Sequence, residues 1–398
     1  MPIKSPYSGV YIEELHSKMK TIKGVPTSIT AFIGRATKGP KNKPIKITSF
    51  QDYERIFGGL SRKNELSYSV YYYFLNGGSY AIIIRVNSSS NDVSLKDEEI
   101  IGNREEKTGL YALENVEIFN MLCIPPCNKN ETTSAQVYEK AAEYCENRRA
   151  ILLVDPPKAW DTHHKPIDRK LGLGSAEFKL SRSPNATMFF PRLKAHDPLN
   201  QDEIRELVPS GAVAGVIARI DSARGVWKAP AGIETIIKGV SDLSIELRQN
   251  DYDKLQKVGI NCLRLMSNNE VVIWGARTLI GAENLSSEWK YLPVRRFALY
   301  IEESLYRGTK WIVFEPNDEP LWSQIRLNIG TFMYNLFRQG ALQGLTPKEA
   351  YFVKCDKETT TQDDIDRGAV NILVGFAPMK PAEFVILKIQ LIAGQEIE

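Results

Sequence analysis

Residues 119–157, FNMLCIPPCNKNETTSAQVYEKAAEYCENRRAILLVDPP, read as strand, helix, strand. The run 119–124 is short and apolar, and so is 150–154, which Asp155-Pro156-Pro157 closes as a stiff turn. Between them the apolar positions of 134–147 recur at helical spacing, an amphipathic helix. That makes a βαβ unit, the building block of an α/β fold. Downstream, the Gly-, Ser- and Lys-rich stretch 165–183 separates it from a strand at 186–190 and a small-residue helix at 211–220. A compact α/β insertion over 109–224 is the plausible extent.

Upstream, 29–33 reads as a buried strand and 45–48 as another, with a helix from Ser49, where Asp52 three positions on suits a capping box. The aromatic segment 66–75, the Asn76-Gly77-Gly78 turn and 81–86 give helix, turn, strand. Polar residues 88–107 have little to bury and mark a boundary. The start of the chain is turn-rich, with a short apolar segment (Val10, Tyr11, Ile12) before polar and basic residues, and looks like an arm.

Beyond 224 the chain is again mixed: strands at 271–274 and 309–314, and helices at 293–305 and from Pro320 to about Arg338. In the last helix Trp322, Ile325, Ile329, Phe332 and Leu336 make a buried stripe. Gln324, Asn328, Thr331, Asn335 and Gln339 form an uncharged polar stripe flanked by Arg326 and Arg338, either a solvated face or a contact surface. The tail alternates as a strand: Val385, Leu387, Ile389 and Leu391 on one side, Phe384, Ile386, Lys388 and Gln390 on the other. It pairs either within its own domain or with a partner.

The composition is ordinary for a globular protein of 398 residues, 43% hydrophobic and 25% charged. The 51 basic against 48 acidic residues leave a formal charge of +3, so no bulk pull toward nucleic acid is implied. Five scattered cysteines argue against a disulfide framework and for a reducing compartment. No secretory pattern opens the chain and no run is long and apolar enough to span a bilayer, so a soluble protein without membrane insertion is expected.

A search for chemistry finds no phosphate-binding loop, dinucleotide fingerprint, nucleophile elbow or zinc-protease pair. Gly172-Leu173-Gly174-Ser175 follows no buried strand, His163 and His164 are mere neighbours, and Cys123 and Cys127 lack a second ligand pair. Asp363, Asp364 and Asp366 follow Thr361 as acids at a helix start, which capping explains better than a carboxylate site. No catalytic residue, cofactor or metal is expected.

Several blocks together resemble the contractile tail sheath family of phage tails, R-type pyocins and extracellular contractile injection systems. They include Pro6-Tyr7-Ser8-Gly9-Val10-Tyr11-Ile12-Glu13-Glu14, Ala31-Phe32-Ile33-Gly34-Arg35-Ala36, Gly225-Val226-Trp227-Lys228-Ala229-Pro230-Ala231-Gly232 and Trp274-Gly275-Ala276-Arg277-Thr278-Leu279. The densest match is C-terminal, with Val313-Phe314-Glu315-Pro316-Asn317-Asp318, Phe352-Val353-Lys354-Cys355-Asp356, which puts Cys355 in a strand, and Lys380-Pro381-Ala382-Glu383-Phe384.

The resemblance implies a mixed α/β subunit with an inner core domain from 24–108 and 225–383, an inserted outer domain at 109–224, and terminal arms at 1–23 and 384–398. Arm strands (Val10, Tyr11, Ile12, Glu13; Phe384, Val385, Ile386, Leu387, Ile389) would join neighbouring subunits' sheets. The Pro320 helix would face an inner tube through Gln324, Arg326, Asn328, Thr331, Asn335 and Arg338. Further implications are a helical homo-oligomer of stacked hexameric rings, partnered by tube, baseplate, terminal cap and sheath paralogues. Assembly would be in the bacterial cytoplasm, for a virion or phage-tail-like particle. The competing readings are an α/β enzyme using 109–224, or a tube or baseplate component of the same machine.

Overall fold

The computed structural model describes residues 21–86, 94–161, 182–281, 287–379 and 385–392. In chain order the strands are β1 (Thr30–Gly34), β2 (Ile45–Ile47), β3 (Ala81–Arg85), β4 (Met121–Cys123), β5 (Ile151–Val154), β6 (Ala186–Phe190) and β7 (Leu193–Asp197). They continue as β8 (Asn200–Leu207), β9 (Asp242–Leu243), β10 (Asn261–Leu265), β11 (Val271–Trp274), β12 (Tyr351–Lys354), β13 (Ala369–Phe376) and β14 (Val385–Ile392). The helices are α1 (Phe50–Phe57), α2 (Glu65–Leu75), α3 (Asp97–Ile101), α4 (Ala135–Asn147) and α5 (Ser210–Arg224). After these come α6 (Gln249–Lys257), α7 (Leu292–Gly308), α8 (Glu319–Arg338), α9 (Pro347–Ala350) and α10 (Gln362–Asp366).

Eight strands form one sheet in the order β11-β10-β6-β5-β4-β1-β3-β2, parallel except for the antiparallel β2 and β11 at its two ends. Successive side chains of a strand point to opposite faces. Phe32, Ile83, Met121, Ile151 and Phe189 accordingly enter one apolar cluster, and Ile33, Ile82, Leu122, Leu152 and Met188 another. The first is roofed by α2 and α5, the second by α4 and α6. Strands buried on both faces carry continuous apolar runs, which is why β3 and β5 are so legible in sequence.

The helix starts follow local chemistry. Ser49 caps α1 by accepting from the Asp52 amide at 3.2 Å, and Ser134 caps α4 by accepting from Val137 at 3.2 Å. Where α5 crosses α2, Gly211 and Gly215 lie against the backbone of Ser69 and Tyr73, so close that a Cβ at either would overlap a carbonyl oxygen. Here the glycines exist for approach rather than for a turn.

A third cluster, with Phe297, Trp322, Ile329, Val374 and Phe376, organises the C-terminal part around α7, α8 and the sheet β12-β13-β14. The helix α7 belongs to two bodies: Leu292 and Leu299 pack into the first cluster, Phe297 and Ile301 into the third.

Three sequence expectations meet a different outcome. The segment 109–224 supplies β4, β5 and β6, which lie between β1 and β10 in the large sheet, so it shares that sheet with its flanks. Local apolar periodicity marks a strand but not its neighbours. Residues 309–314 form no strand: Thr309 bonds back to Leu305, and Lys310–Ile312 is a 3-10 turn in which Ile312 alone is buried. Cys355 sits one position beyond β12.

Gly211→Ala should therefore lower unfolding stability by about 1–3 kcal/mol through overpacking. Gly330→Ala, on α8 where nothing lies within 4 Å of an added Cβ, should raise it by up to about 1 kcal/mol through helix propensity. Urea titration of both variants checks the contrast.

Candidate assembly surfaces

Helix α8 begins at Asp318, whose carboxylate accepts from the Leu321 amide at 3.1 Å, with Pro320 in the first turn. Each residue turns the helix by about 100°. Leu321, Trp322, Ile325, Ile329, Phe332, Met333 and Leu336 fill one arc and are buried. Gln324, Thr331 and Asn335 lie on its flank, the first two half-buried and Asn335 exposed, and Arg338 is exposed.

Two residues of the expected tube-facing set, Asn328 and Arg326, do not face outward. Asn328 is only 4% exposed, and neither of its amide atoms has a partner. It stands three residues after Ile325 and four before Phe332, which carries it to the buried arc. Arg326 is turned back, its guanidinium bonded to the Cys355 carbonyl and paired with Glu319 at 2.6 Å. The outermost line of α8 is instead Ser323, Leu327 and Tyr334, which a helical projection centred opposite the apolar stripe would have found.

The second surface is a sheet edge. β14 pairs antiparallel with β13 through eight residues, from Ala369 opposite Ile392 to Phe376 opposite Val385, and so forms one edge of β12-β13-β14. The expected arm residues Val385, Ile386, Leu387 and Ile389 thus lie in a strand seated on the chain's own sheet, while Phe384 and Val10 to Glu13 lie outside the described residues.

A seam of charge joins the C-terminal part to the large sheet. Arg296 of α7 grips Asp221 of α5 with two bonds, 2.8 and 2.6 Å, and donates to the Thr27 carbonyl; both side chains are buried. Arg295 donates to Asn185, and Arg149 pairs with Glu303 at 3.1 Å while its guanidinium lies 4.9 Å from the Tyr306 ring centre. Paired charges of this kind are geometrically exacting.

The acids and cysteines whose chemistry invites a catalytic reading have structural duties. Asp155 is buried and accepts from the Ser210 amide at 2.9 Å and hydroxyl at 2.8 Å, anchoring the start of α5; burial pushes its carboxyl up to about 7. Asp364 completes a capping box with Thr361, and Asp366 accepts from Gln362. All five cysteines are unpaired and buried. His163, His164 and Gly172 to Ser175 lie outside the described residues.

This architecture is that of tail sheath subunits. The chain superposes on the contracted helical sheath of the anti-feeding prophage with a TM-score of 0.73 and 29% identity, covering 97% of this chain and 99% of that one. The contracted PVC sheath, from an extracellular contractile injection system, gives 0.73 and 29%, over 96% and 97% of the two chains.

In sequence, residues 100–279 match the phage tail sheath protein central domain and residues 285–392 the phage tail sheath C-terminal domain. The chain belongs to the phage tail sheath family. It is 27% identical over 187 residues to the tail sheath protein of Vibrio phage KVP40, 47% of this chain but only 26% of that much longer relative.

Removing one member of a buried pair leaves the other charge uncompensated, so Arg296→Ala should cost about 3–5 kcal/mol in a denaturant titration. Asp155 gives a pH signature. Its folded pKa lies above the unfolded value of 3.8, so its contribution is full below about pH 4 and is lost as pH rises through about 7. Asp155→Asn should flatten that part of the decline in unfolding midpoint.

Proposed function

We propose that the chain polymerises helically around an inner tube and, on contraction, drives that tube through a target envelope. It acts as a structural subunit rather than a catalyst. The observation that carries the reading is β14, a strand held at a sheet edge by backbone pairing at the end of the described chain. Backbone pairing is indifferent to the identity of the chain supplying the strand, so the same seat on β13 can receive a neighbour's β14. Val10, Tyr11, Ile12 and Glu13 of another copy add a further strand. An edge that is a liability in a monomer becomes the link of a lattice.

The tube-facing surface is the side of α8 away from its buried arc, where Leu327, Tyr334 and Arg338 are flanked by Gln324, Thr331 and Asn335. Mixed polar and modest apolar contacts hold a tube without locking it. The C-terminal part, 285–392, lies inward and much of the large sheet outward, and rings of six stack along the tube. Baseplate and cap proteins terminate the polymer, which assembles in the bacterial cytoplasm. Its free energy is stored at assembly, so no nucleotide is needed.

Electron microscopy of the full chain should show hollow helical tubes. Removing residues 2–20 should leave a folded protein by circular dichroism that forms none. Normal tubes from the truncated chain would refute the strand-exchange reading.

A further inference from the structure

A knob and a groove lie at opposite ends of α8. The knob is the turn ahead of the helix. Phe314 is 83% exposed, and its backbone is held at φ 72, a left-handed conformation that a bulky residue adopts only when its surroundings impose it. The surroundings do so. The Glu315 amide donates to Ile312 at 3.0 Å, Asn317 donates to the Ala369 carbonyl at 2.9 Å, and Trp322 donates to Asn317 at 2.8 Å. The turn is braced to both the small sheet and α8, with the ring and the Glu315 carboxylate facing solvent. Among the described residues no cation pairs with Glu315.

The groove is a cleft of about 890 Å³ between the large sheet and the C-terminal part, reached by Gln339 and Gly340 just past the end of α8. Trp227, Tyr252, Trp274 and Tyr291 give it an aromatic lining, interspersed with the cations Arg224, Lys228 and Arg277 and a single acid, Asp253. At its side Arg264 is half-buried, its guanidinium 5.5 Å from the Tyr252 ring centre and 5.3 Å from that of Trp274, with no carboxylate partner among the described residues. An aromatic-walled cleft with an unneutralised guanidinium suits an aromatic side chain next to an acid.

We infer that Phe314 and Glu315 of one copy dock in this groove of a second copy, the ring among Trp227, Tyr252 and Trp274 and the carboxylate on Arg264. The occupant has to be another copy. The 20 residues of α8 hold knob and groove about 30 Å apart in one chain. Because the two surfaces differ and sit at opposite ends, the contact is head-to-tail, and repetition gives a ring or a helix rather than a closed pair. The inference rests on the sheath reading for its polymer but not on the exchanged strands. A rigid, pre-shaped knob needs no ordering on docking, which favours binding.

The test uses the full chain with Pro316→Cys and Gln256→Cys combined, one beside the knob and one at the rim of the groove, against the parent whose own cysteines are all buried. A short bismaleimide should yield a ladder of linked chains from the double variant, and none from either single variant. Adding Phe314→Ala should reduce the linkage by about tenfold. Glu315→Arg should abolish it and Glu315→Arg with Arg264→Glu should restore it, with folding checked by circular dichroism.

Tubes that form without linkage, or linkage indifferent to Phe314→Ala, would overturn the contact and leave the sheath reading intact. Linkage in a chain that never forms tubes would support the contact and sink the sheath reading. Neither tubes nor linkage would remove both.

Discussion

A parallel strand buried on both faces needs a hydrogen-bonded neighbour on each edge, and the central sheet is arranged around that demand. β4, β5 and β6 are apolar on both faces and therefore unsuited to end a sheet in water, so β1 takes one side of them and β10 the other. The ends of the sheet fall to β2 and β11, antiparallel strands of three and four residues. β11 is further covered by the chain at Gly232 and Ile237, whose amides donate to Ile273 and Val271. The β11 end of the large sheet is thereby covered by the chain itself.

The small sheet is the opposite case. β13 is paired on both sides, but β12 and β14 are edges with no covering strand among the described residues. The division is physical: the large sheet is covered at its β11 end, the small one left open to pairing. The helix α7 keeps them from moving independently, since it packs into both bodies and is pinned to α5 through Arg296 and Asp221.

Much of this was legible because it depends on short-range chemistry. The capping serine at 49, the apolar runs of β3 and β5, the helical period of α4 and the stripe of α8 all appear from residues a few positions apart. What was not legible depends on partners far along the chain. The placement of 109–224 inside a shared sheet requires knowing that Thr30 meets Met121 and that Phe189 meets Asn261. Asn328 shows a subtler limit: its polarity suggests an outward face, but its phase along α8 puts it inside, where its amide goes unpaired. The run 309–314 reads as a strand because its four apolar residues fit either period, and the backbone of Phe314 decides against it.

The two kinds of contact proposed between copies respond differently to a change of lattice. A strand paired through its backbone keeps its hydrogen bonds while the bodies it joins rotate about the connecting chain, so it can hold subunits together before and after contraction. A side chain seated in a cleft tolerates far less, because shape and the Glu315 to Arg264 pairing both fail once the axes tilt. If knob and groove meet in only one arrangement of the lattice, their free energy separates the two states while the strands supply continuity. The direction of contraction then depends on which lattice brings the N-terminal end of one α8 against the C-terminal end of the next.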